Sequence, residues 1–397
     1  MKTGLLHLRR TTMIIDCDTH FMPSDAFDHV GKEFLDRRPI LKFDDTGLLT
    51  DVEFPGEPAR VAGATPLPAP GSGAHYPGNT DMEVRLKEYE KMDIDSQFIL
   101  PQFTGWWSYL IEPGLANPLA HSWNLSMLRL MREHPGKIYG VALVALQDVP
   151  GAIREMEWAK ENGFPAVVLD HTYPVREHPY GTTLGSHREL WPFFQRVEEL
   201  DMPIFLHAVQ HGHRIVNIMM FQHDGLDIFA PREAQMNLVS LITSGLLDDF
   251  PQLKIIHAEM GTKTVKSLAQ RLDTVFKNVT FSYEDDEGAT AGSKRRLSPK
   301  APQLVPPEVA NEKNKLPPSH YFTNNFYWTI ETEEPELVEA VEFLGAERFL
   351  FATDYPHDDP GGRMKFKDVE LLQANPKLSD SQKELIRCEN AKRLFQL

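Results

Sequence analysis

Apolar and polar positions along the chain form two kinds of segment that follow one another repeatedly. Short runs rich in Val, Ile, Leu and Phe, such as 96–101, 166–170 and 203–207, predict strands. Between them lie longer segments with apolar residues at helical spacing, such as 151–163, which predict helices. Because the apolar runs are continuous rather than alternating, they are typical of parallel strands buried on both faces.

This succession predicts eight strands with helices between most of them. The predicted strands are 13–19, 96–101, 138–146, 166–170, 203–207, 253–258, 321–330 and 348–354. The predicted helices are 80–93, 119–134, 151–163, 187–200, 234–247, 262–276, 335–345, 365–374 and 379–389. In the first helix, Thr80 and Glu83 occupy capping-box positions. No Gly-rich phosphate loop follows a strand, so the pattern favours an α/β fold of the closed (β/α)8 TIM-barrel type, with loop insertions and C-terminal helices, over an open doubly wound sheet.

Two segments interrupt the pattern and are interpreted as insertions in a single domain that spans 13–397. Residues near 44–80 are rich in Gly and Pro, and residues near 284–318 are polar and rich in Pro and Lys. We expect both to shape the pocket or a subunit contact. Residues 1–12 are expected to be a short N-terminal extension, because Met13 opens the first strand and could be the natural start.

Composition and charge argue against two classes of binding partner, nucleic acids and membranes. The chain has 41% hydrophobic and 25% charged residues, which is typical of a soluble globular protein. Its 57 acidic and 41 basic residues give a net charge of −16, which argues against nucleic acid as a partner. No apolar stretch approaches the roughly 18–20 residues of a transmembrane helix, so no membrane is expected as a partner. The two cysteines, Cys17 and Cys388, cannot form a disulfide framework and fit a reducing, cytoplasmic environment.

Residue types that bind metal ions stand at the ends of predicted strands. Asp18 and His20 belong to the first strand end, His207 and His257 to the fifth and sixth, and Asp354 to the eighth. In a barrel the carboxyl ends of the strands converge on the mouth, where active sites lie. Residues two apart on a strand face the same way, so the first two could reach one ion at about 2.0–2.2 Å. A single strand-end histidine is more often a hydrogen-bonded core residue, but the joint pattern favours a site for Zn²⁺, Mn²⁺ or Fe²⁺.

Four local sequences carry a resemblance to a known family: IIDCDTH, FLHA, KIIHAEMG and RFLFATDYPH. The chain resembles the amidohydrolase superfamily, in particular its branch of aminocarboxymuconate-semialdehyde-decarboxylase-like and resorcylate-decarboxylase-like proteins. The resemblance covers nearly the whole chain from residue 13, and ATDYPH is its most specific element. It implies a barrel enzyme with one divalent metal ion, and it implies a homodimer.

The resemblance also implies roles for the strand-end residues. The implied metal ligands are Asp18, His20, His207 and Asp354, and the implied acid/base is His257. Asp18 stands where the superfamily usually has a histidine, which makes the site more anionic. No lysine that could be carbamylated ends the fourth strand, so a binuclear site is less favoured than a mononuclear one.

Two reactions fit such a site, and the residues alone do not choose between them. The resemblance favours non-oxidative decarboxylation of an aromatic or unsaturated carboxylic acid, with His257 as the proton carrier. Hydrolysis of an ester, thioester, lactone or C–C bond by metal-activated water is the alternative, in which Asp354 or His257 takes the proton. A third hypothesis, from another class, is an inert barrel that serves as a binding module.

Further residues are candidates for contact with a small carboxylic acid or acyl substrate. Gln102, Trp106 and Trp107 follow the second strand and are expected to wall an aromatic or apolar ring, although packing at the rim fits them equally well. In the loop after the fifth strand, His211 and Arg214 could pair with a substrate carboxylate, although solvated loop charge is the commoner role of such residues.

Polar residues near the later strand ends complete the set of candidates. Glu259 lies two residues after His257 and is expected to orient it or a ligand and to line the substrate pocket. His357 is expected to brace the loop after the last strand, behind the ligands. Asn324 and Asn325, placed on the seventh predicted strand, are candidates for hydrogen bonds.

Overall fold

The computed structural model describes most of the chain. The described residues are 13–53, 55, 76–101, 113–171, 183–207, 225–259, 261–262, 265–278, 314–330, 332–357 and 367–397. The extension 1–12 and most of the two expected insertions lie outside these ranges. So do five of the candidate pocket residues, namely Gln102, Trp106, Trp107, His211 and Arg214.

Eight parallel strands form one sheet, in which each strand pairs with the next one along the chain, and two further strands form a separate hairpin. The strands are β1 (Ile15–Phe21), β2 (Ile40–Phe43), β3 (Leu49–Glu53), β4 (Ser96–Pro101), β5 (Ile138–Leu143), β6 (Ala166–Asp170), β7 (Ile204–His207), β8 (Ile255–His257), β9 (Phe326–Ile330) and β10 (Phe349–Phe351). The hairpin pairs β2 with β3 in antiparallel fashion. The other eight strands follow the order β1, β4, β5 and so on to β10.

The first and last strands meet at a seam, formed by residues 18–20 and 354–355, that closes the sheet into a barrel. Thr19 forms a parallel bridge with Tyr355. The main-chain N–H of His20 donates to the carbonyl oxygen of Tyr355 at 2.7 Å, and that of Asp354 donates to the carbonyl oxygen of Asp18 at 3.0 Å. The predicted (β/α)8 barrel is confirmed.

Helices pack around the sheet and follow its strands along the chain. The helices are Met82–Met92, Pro113–Glu133, Val149–Glu161, Trp191–Glu199, Gly225–Thr243, Leu246–Asp249, Val265–Asn278, Pro318–Asn324, Leu337–Leu344, Asp368–Ala374, Asp380–Glu384 and Asn390–Phe395, with a π-helical turn at Leu385–Glu389. Short 3₁₀ turns occupy Lys32–Phe34, Pro77–Asn79, Arg188–Leu190 and Ala346–Arg348. In the described part of the chain, none of these helices has the length and apolar character that crossing a bilayer requires.

Aromatic rings fill the barrel interior beneath the mouth. The rings of Phe98 and Phe205, on the non-adjacent strands β4 and β7, lie 6.2 Å apart, so this contact crosses the interior. Phe395 of the last helix packs against both, at 4.2 Å from Phe98 and stacked at 5.8 Å on Phe205. Since Phe205 precedes His207 by two residues on β7, the apolar plug lies directly below the strand ends.

Two differences between the predicted and the observed elements have clear local causes. The helix expected from residue 80 begins at Met82, because Asp81 rather than Thr80 is the N-cap and accepts hydrogen bonds from the main-chain N–H groups of Glu83 and Val84. The strand predicted over 321–330 is wrong in its first half. Pro318 starts a helix there, Asn324 ends it, and the strand begins only at Phe326.

Two further differences concern loops. The insertion expected from residue 44 begins inside the hairpin of β2 and β3, which the sequence pattern did not predict. The last strand ends at Phe351, so Asp354 lies in the turn that follows it rather than on the strand. Asn325 caps the helix Pro318–Asn324, and its Nδ2 donates to the carbonyl oxygens of Pro251 and Leu253 at 3.0 Å each.

Candidate metal centre

Strand β1 places two candidate ligands on one side of the sheet. Asp18 and His20 lie two residues apart on this strand, and both are almost fully buried. Thr329 Oγ1, on β9, donates to Asp18 Oδ2 at 3.0 Å. Because β10 lies between β1 and β9, this bond crosses the barrel interior, and both side chains therefore face inward.

Two strands and the turn after a third bring three side chains to one point at the mouth. His20 Nε2 and His207 Nε2 are 3.1 Å apart, although β1 and β7 are not neighbours. Glu259 Oε1 lies 3.3 Å from His20 Nε2 and 3.0 Å from His207 Nε2. Asp18 joins them, because one ligand atom from each of these four residues lies within 4.8 Å of the others.

A second group shares two of these residues and extends toward the rim. Asp354 Oδ1 lies 3.3 Å from His20 Nε2 and 2.7 Å from His357 Nδ1. Ligand atoms of His20, Glu259, Asp354 and His357 all lie within 4.8 Å of one another. Glu259 and Asp354 both follow strand ends and have φ angles of +54° and +56°. Such left-handed backbone is uncommon outside glycine and occurs at functional sites, where it aims a side chain that a regular strand could not.

The cluster places ionisable groups where burial disfavours their charged forms. Burial raises the pKa of Asp18 to about 7, although His207 and His20 lower it. For Glu259, burial alone would raise the pKa, but His207 and His20 outweigh it and hold the pKa well below its usual range. Three carboxylates with two imidazoles thus occupy one place with little access to water. A bound cation compensates such a set of carboxylates.

The spacing of the donor atoms fits one divalent ion. Two ligand atoms at about 2.1 Å from an ion, separated by an angle of 90° to 109°, are about 3.0–3.4 Å apart. The distances among His20 Nε2, His207 Nε2, Glu259 Oε1 and Asp354 Oδ1 that are given above, from 3.0 to 3.3 Å, fall in this range. Asp18 Oδ1 is buried and has no hydrogen-bond partner among the described residues. Nitrogen and oxygen donors in this mixture suit Zn²⁺, Mn²⁺ or Fe²⁺.

His257 faces away from this cluster, according to the strand register. It is aligned with Leu206 on β7 and with Trp328 on β9. Aligned residues of neighbouring parallel strands face the same side, while the next residues along, His207 and Thr329, face the interior. The acid/base role expected of His257 stays a prediction, and the register does not favour it.

His257 is fully buried and lies between a second imidazole and an aromatic ring. Its ring stacks on that of His171 at 5.4 Å and lies 5.4 Å from the ring of Phe326. Within the described part of the chain, neither of its ring nitrogens has a hydrogen-bond partner. Burial lowers the pKa of His257 to about 3, so the imidazole is neutral near pH 7.

The structure gathers six of the residues that the sequence singled out, which are Asp18, His20, His207, Glu259, Asp354 and His357. Glu259 was expected to line the substrate pocket and to orient a neighbour, and it lies instead between two histidine nitrogens, at ligand distance. Its position directly after β8 was the available signal. The sequence pattern did not reveal the left-handed turn that aims it inward.

Comparison with known proteins identifies the family. A family model described as amidohydrolase matches residues 15–397 of the chain. The chain belongs to the amidohydrolase family. The match runs from the first residue of β1 to the C-terminus, so it includes every strand of the barrel and both groups of candidate ligands. The family resemblance noted from the sequence is confirmed.

Among its curated relatives are decarboxylases. The γ-resorcylate decarboxylase of Polaromonas sp. (strain JS666) is 26% identical over 288 residues, which make up 71% of this amidohydrolase and 77% of the relative. The 2-amino-3-carboxymuconate-6-semialdehyde decarboxylase of Dictyostelium discoideum is 21% identical over 316 residues, which make up 78% and 75% of the two chains.

Solved structures share the fold of this amidohydrolase. One is 5-carboxyvanillate decarboxylase of Novosphingobium aromaticivorans, complexed with manganese and 4-hydroxy-3-methoxy-5-nitrobenzoic acid. It superimposes with a TM-score of 0.70 at 20% identity, over 98% of this chain and 97% of that chain. At this identity the likeness establishes the barrel fold.

Proposed function

We propose that this amidohydrolase is a metal-dependent, non-oxidative decarboxylase of an aromatic carboxylic acid. The observation that carries the proposal is the ligand-like spacing of His20 Nε2, His207 Nε2 and Glu259 Oε1, which lie 3.0–3.3 Å apart at the barrel mouth. The curated relatives support the reaction type, since both relatives described above are decarboxylases. The relative of known structure supports an aromatic acid as the substrate class.

The proposed ligands of the ion are Asp18, His20, His207 and Asp354, joined by Glu259. Mn²⁺ is the first candidate because the 5-carboxyvanillate decarboxylase structure contains manganese, and the same donors also accept Zn²⁺ or Fe²⁺. When bound, a divalent ion supplies a Lewis acid that holds and polarises an oxygen of the substrate. The left-handed turns at Glu259 and Asp354 hold their carboxylates inward in advance of binding.

The reaction replaces the carboxylate of the substrate with a proton. The bond between the ring carbon and the carboxylate breaks, its electron pair stays on the ring carbon, and a proton joins that carbon as CO₂ leaves. We assign the proton path to His357 and Asp354, which share a hydrogen bond of 2.7 Å. The side chain of His357 is 30% exposed and that of Asp354 is 12% exposed, so the pair connects solvent with the buried cluster.

A substrate panel tests the proposed reaction. Purified protein loaded with Mn²⁺ is incubated with hydroxybenzoates, methoxylated hydroxybenzoates and muconate-like acids that carry ¹³C in the carboxylate, and labelled CO₂ and decarboxylated product are measured. We expect at least one aromatic acid to release both in equal amounts. Asp354→Asn should abolish the release, whereas Glu370→Gln, a matched change at an exposed carboxylate, should not.

Acyl esters and lactones, added to the same panel, separate the alternatives. Turnover of acyl esters or lactones without CO₂ release from any acid would replace the decarboxylase with a hydrolase on the same ligands. A protein that binds no divalent ion and turns over neither class of compound would support the inert barrel instead.

A further inference from the structure

Arg85 lies fully buried at the seam where the barrel closes. We propose that it is a positioning residue, which fixes both sides of the seam and thereby sets the separation of His20 and Asp354. The inference rests on the proposed metal site, because these two residues are proposed ligands from opposite sides of the seam. Arg85 itself belongs to the helix Met82–Met92 and is not a member of the ligand cluster.

On the β1 side, the guanidinium group is held by a fork of hydrogen bonds. Nη1 donates to the carbonyl oxygen of His20 at 2.6 Å, and Nη2 donates to Thr19 Oγ1 at 2.6 Å. Nη1 also donates to the carbonyl oxygen of Gly78 at 3.3 Å, and Nε donates to Gln97 Oε1. One side chain therefore fixes the backbone of a proposed ligand and the residue before it.

On the other side of the seam, the same group lies against Tyr355. The guanidinium carbon is 4.6 Å from the centre of the Tyr355 ring, which is cation–π distance. The hydroxyl of Tyr355 donates to Glu88 Oε2 at 2.5 Å, so the helix of Arg85 holds this ring at both its face and its tip. Tyr355 directly follows Asp354, and its carbonyl oxygen accepts the hydrogen bond from the N–H of His20.

The seam needs such a brace more than other strand pairs do. β1 and β4 share a ladder of paired residues, whereas in the described residues the seam has the single bridge of Thr19 with Tyr355. A deeper clasp exists, in which Asp16 accepts hydrogen bonds from the N–H and the hydroxyl of Thr353 at 3.0 and 2.6 Å. Asp16 precedes Asp18 by two residues and Thr353 precedes Asp354 by one, so this clasp holds the seam before these ligands. Arg85 holds it at Thr19, His20 and Tyr355, on the other side of them.

The burial of the Arg85 charge indicates that this residue positions the strands of the seam rather than adding to the stability of the fold. Among the described residues, no carboxylate forms an ion pair with Arg85, so its charge is buried against carbonyl oxygens, a hydroxyl, an amide and aromatic faces. An apolar residue of similar volume fills such a space at lower cost in desolvation. What an apolar residue cannot supply is the planar fork of donors that bonds one strand while its face contacts the other.

Two substitutions test the positioning role by metal affinity. Arg85→Met keeps the volume and removes the fork, and Arg85→Lys keeps the charge without the planar fork. We expect both to fold, because the Asp16 clasp remains, and to bind Mn²⁺ about 10- to 100-fold more weakly, as loss of groups that orient metal ligands commonly does. We expect the lysine variant to retain part of the affinity, and the paramagnetic resonance spectrum of bound Mn²⁺ to change in both.

A control separates positioning from general loss of stability. Asn124 is fully buried and exchanges hydrogen bonds of 2.8 Å with both the N–H and the carbonyl oxygen of Leu143, away from the seam. Asn124→Leu should lower the melting temperature and leave Mn²⁺ affinity unchanged. Equal affinity of wild type and Arg85→Lys would overturn the inference, and so would an equal loss in Asn124→Leu. If the methionine variant fails to fold, the lysine variant decides.

A second readout does not depend on the metal. In the apoprotein, hydrogen exchange of the His20 amide, which donates across the seam, should become faster in both Arg85 variants and remain unchanged in Asn124→Leu. If the Arg85 variants exchange faster and the wild-type protein binds no Mn²⁺, the proposed function has failed while the brace is real. Unchanged exchange with normal metal binding would reject the brace alone.

Discussion

The carboxylate of Glu259 lies between two buried histidine side chains at the barrel mouth. Its Oε1 lies within 3.3 Å of two histidine nitrogens, and those histidines hold its pKa well below its usual range. The backbone at this residue is left-handed, so the chain adopts an uncommon conformation in order to place the carboxylate there. The ligand-like distances and the left-handed backbone support the proposed role of Glu259 as a ligand of the ion.

Replacement of Glu259 tests this role. Glu259→Gln keeps the size and removes the charge, so we expect Mn²⁺ affinity to fall by about 10- to 100-fold while the barrel stays folded. Calorimetric titration of the apoprotein measures the affinity, and Glu370→Gln serves as the control at an exposed site. Unchanged affinity in Glu259→Gln would return this residue to the substrate pocket.

Replacement of His257, in contrast to Glu259, is expected to leave metal binding and activity nearly unchanged. The buried ring of His257 lies against those of His171 and Phe326, and both of its nitrogens are unpartnered among the described residues. His257→Phe therefore removes unpartnered polar atoms and keeps an aromatic ring. We expect metal content and kcat to stay within about twofold of wild type, with no loss of melting temperature. If metal is retained and kcat falls by orders of magnitude, the proton carrier is His257, as the family resemblance implies.

At this scale the sequence predicted which residues meet but not how each is used. Asp18, His20 and His207 could be placed together because strand ends converge in a barrel and residues two apart share a face. The roles of Glu259 and His257 depend on a left-handed turn and on the register between β7 and β8. Neither is encoded in residue type or local spacing.

At the scale of elements, strands were easier to predict than their boundaries. The runs 96–101 and 166–170 match β4 and β6 residue for residue, because a short apolar run bounded by turn residues is typical of a buried strand. The run from 321 failed, since its aromatic residues serve equally well on a buried helix face. The proline pair before it was the overlooked signal for a helix start.

A pair of neighbouring helices carries a pH-dependent contribution to stability. His121, on the helix Pro113–Glu133, lies 2.9 Å from Glu155 on the helix Val149–Glu161. The hydrogen bond with Glu155 raises the pKa of His121 above its ordinary 6.5, against the effect of burial. A raised pKa stabilises the folded state fully below pH 6.5, and this contribution is lost as the pH rises through the folded-state pKa.

Urea denaturation at two pH values tests this contact. We expect His121→Gln to lose more free energy of unfolding relative to wild type at roughly pH 5.5 than at roughly pH 9. Glu155→Gln should show the same dependence, since it removes the other partner. A difference between wild type and variant that is constant with pH would mean that the ion pair adds nothing to packing.

At the scale of the whole molecule, the closed barrel brings distant parts of the sequence together. Asp18 and Asp354 are at opposite ends of the chain, and the seam joins their backbones by a hydrogen bond of 3.0 Å. The expected homodimer and cytoplasmic location stay predictions. Sedimentation of the purified protein checks the first, and a species with the mass of one chain, 45.2 kDa, at micromolar concentration would contradict it.

Removal and return of the metal test whether the barrel mouth holds an ion that the reaction needs. The protein is stripped with a chelator, Mn²⁺ is added stepwise, and bound ion and CO₂ release from an aromatic acid are measured on the same samples. We expect about one ion to bind per chain and activity to return in proportion to the bound ion. Full activity in the stripped protein, or a reloaded protein that holds no ion, would contradict this expectation.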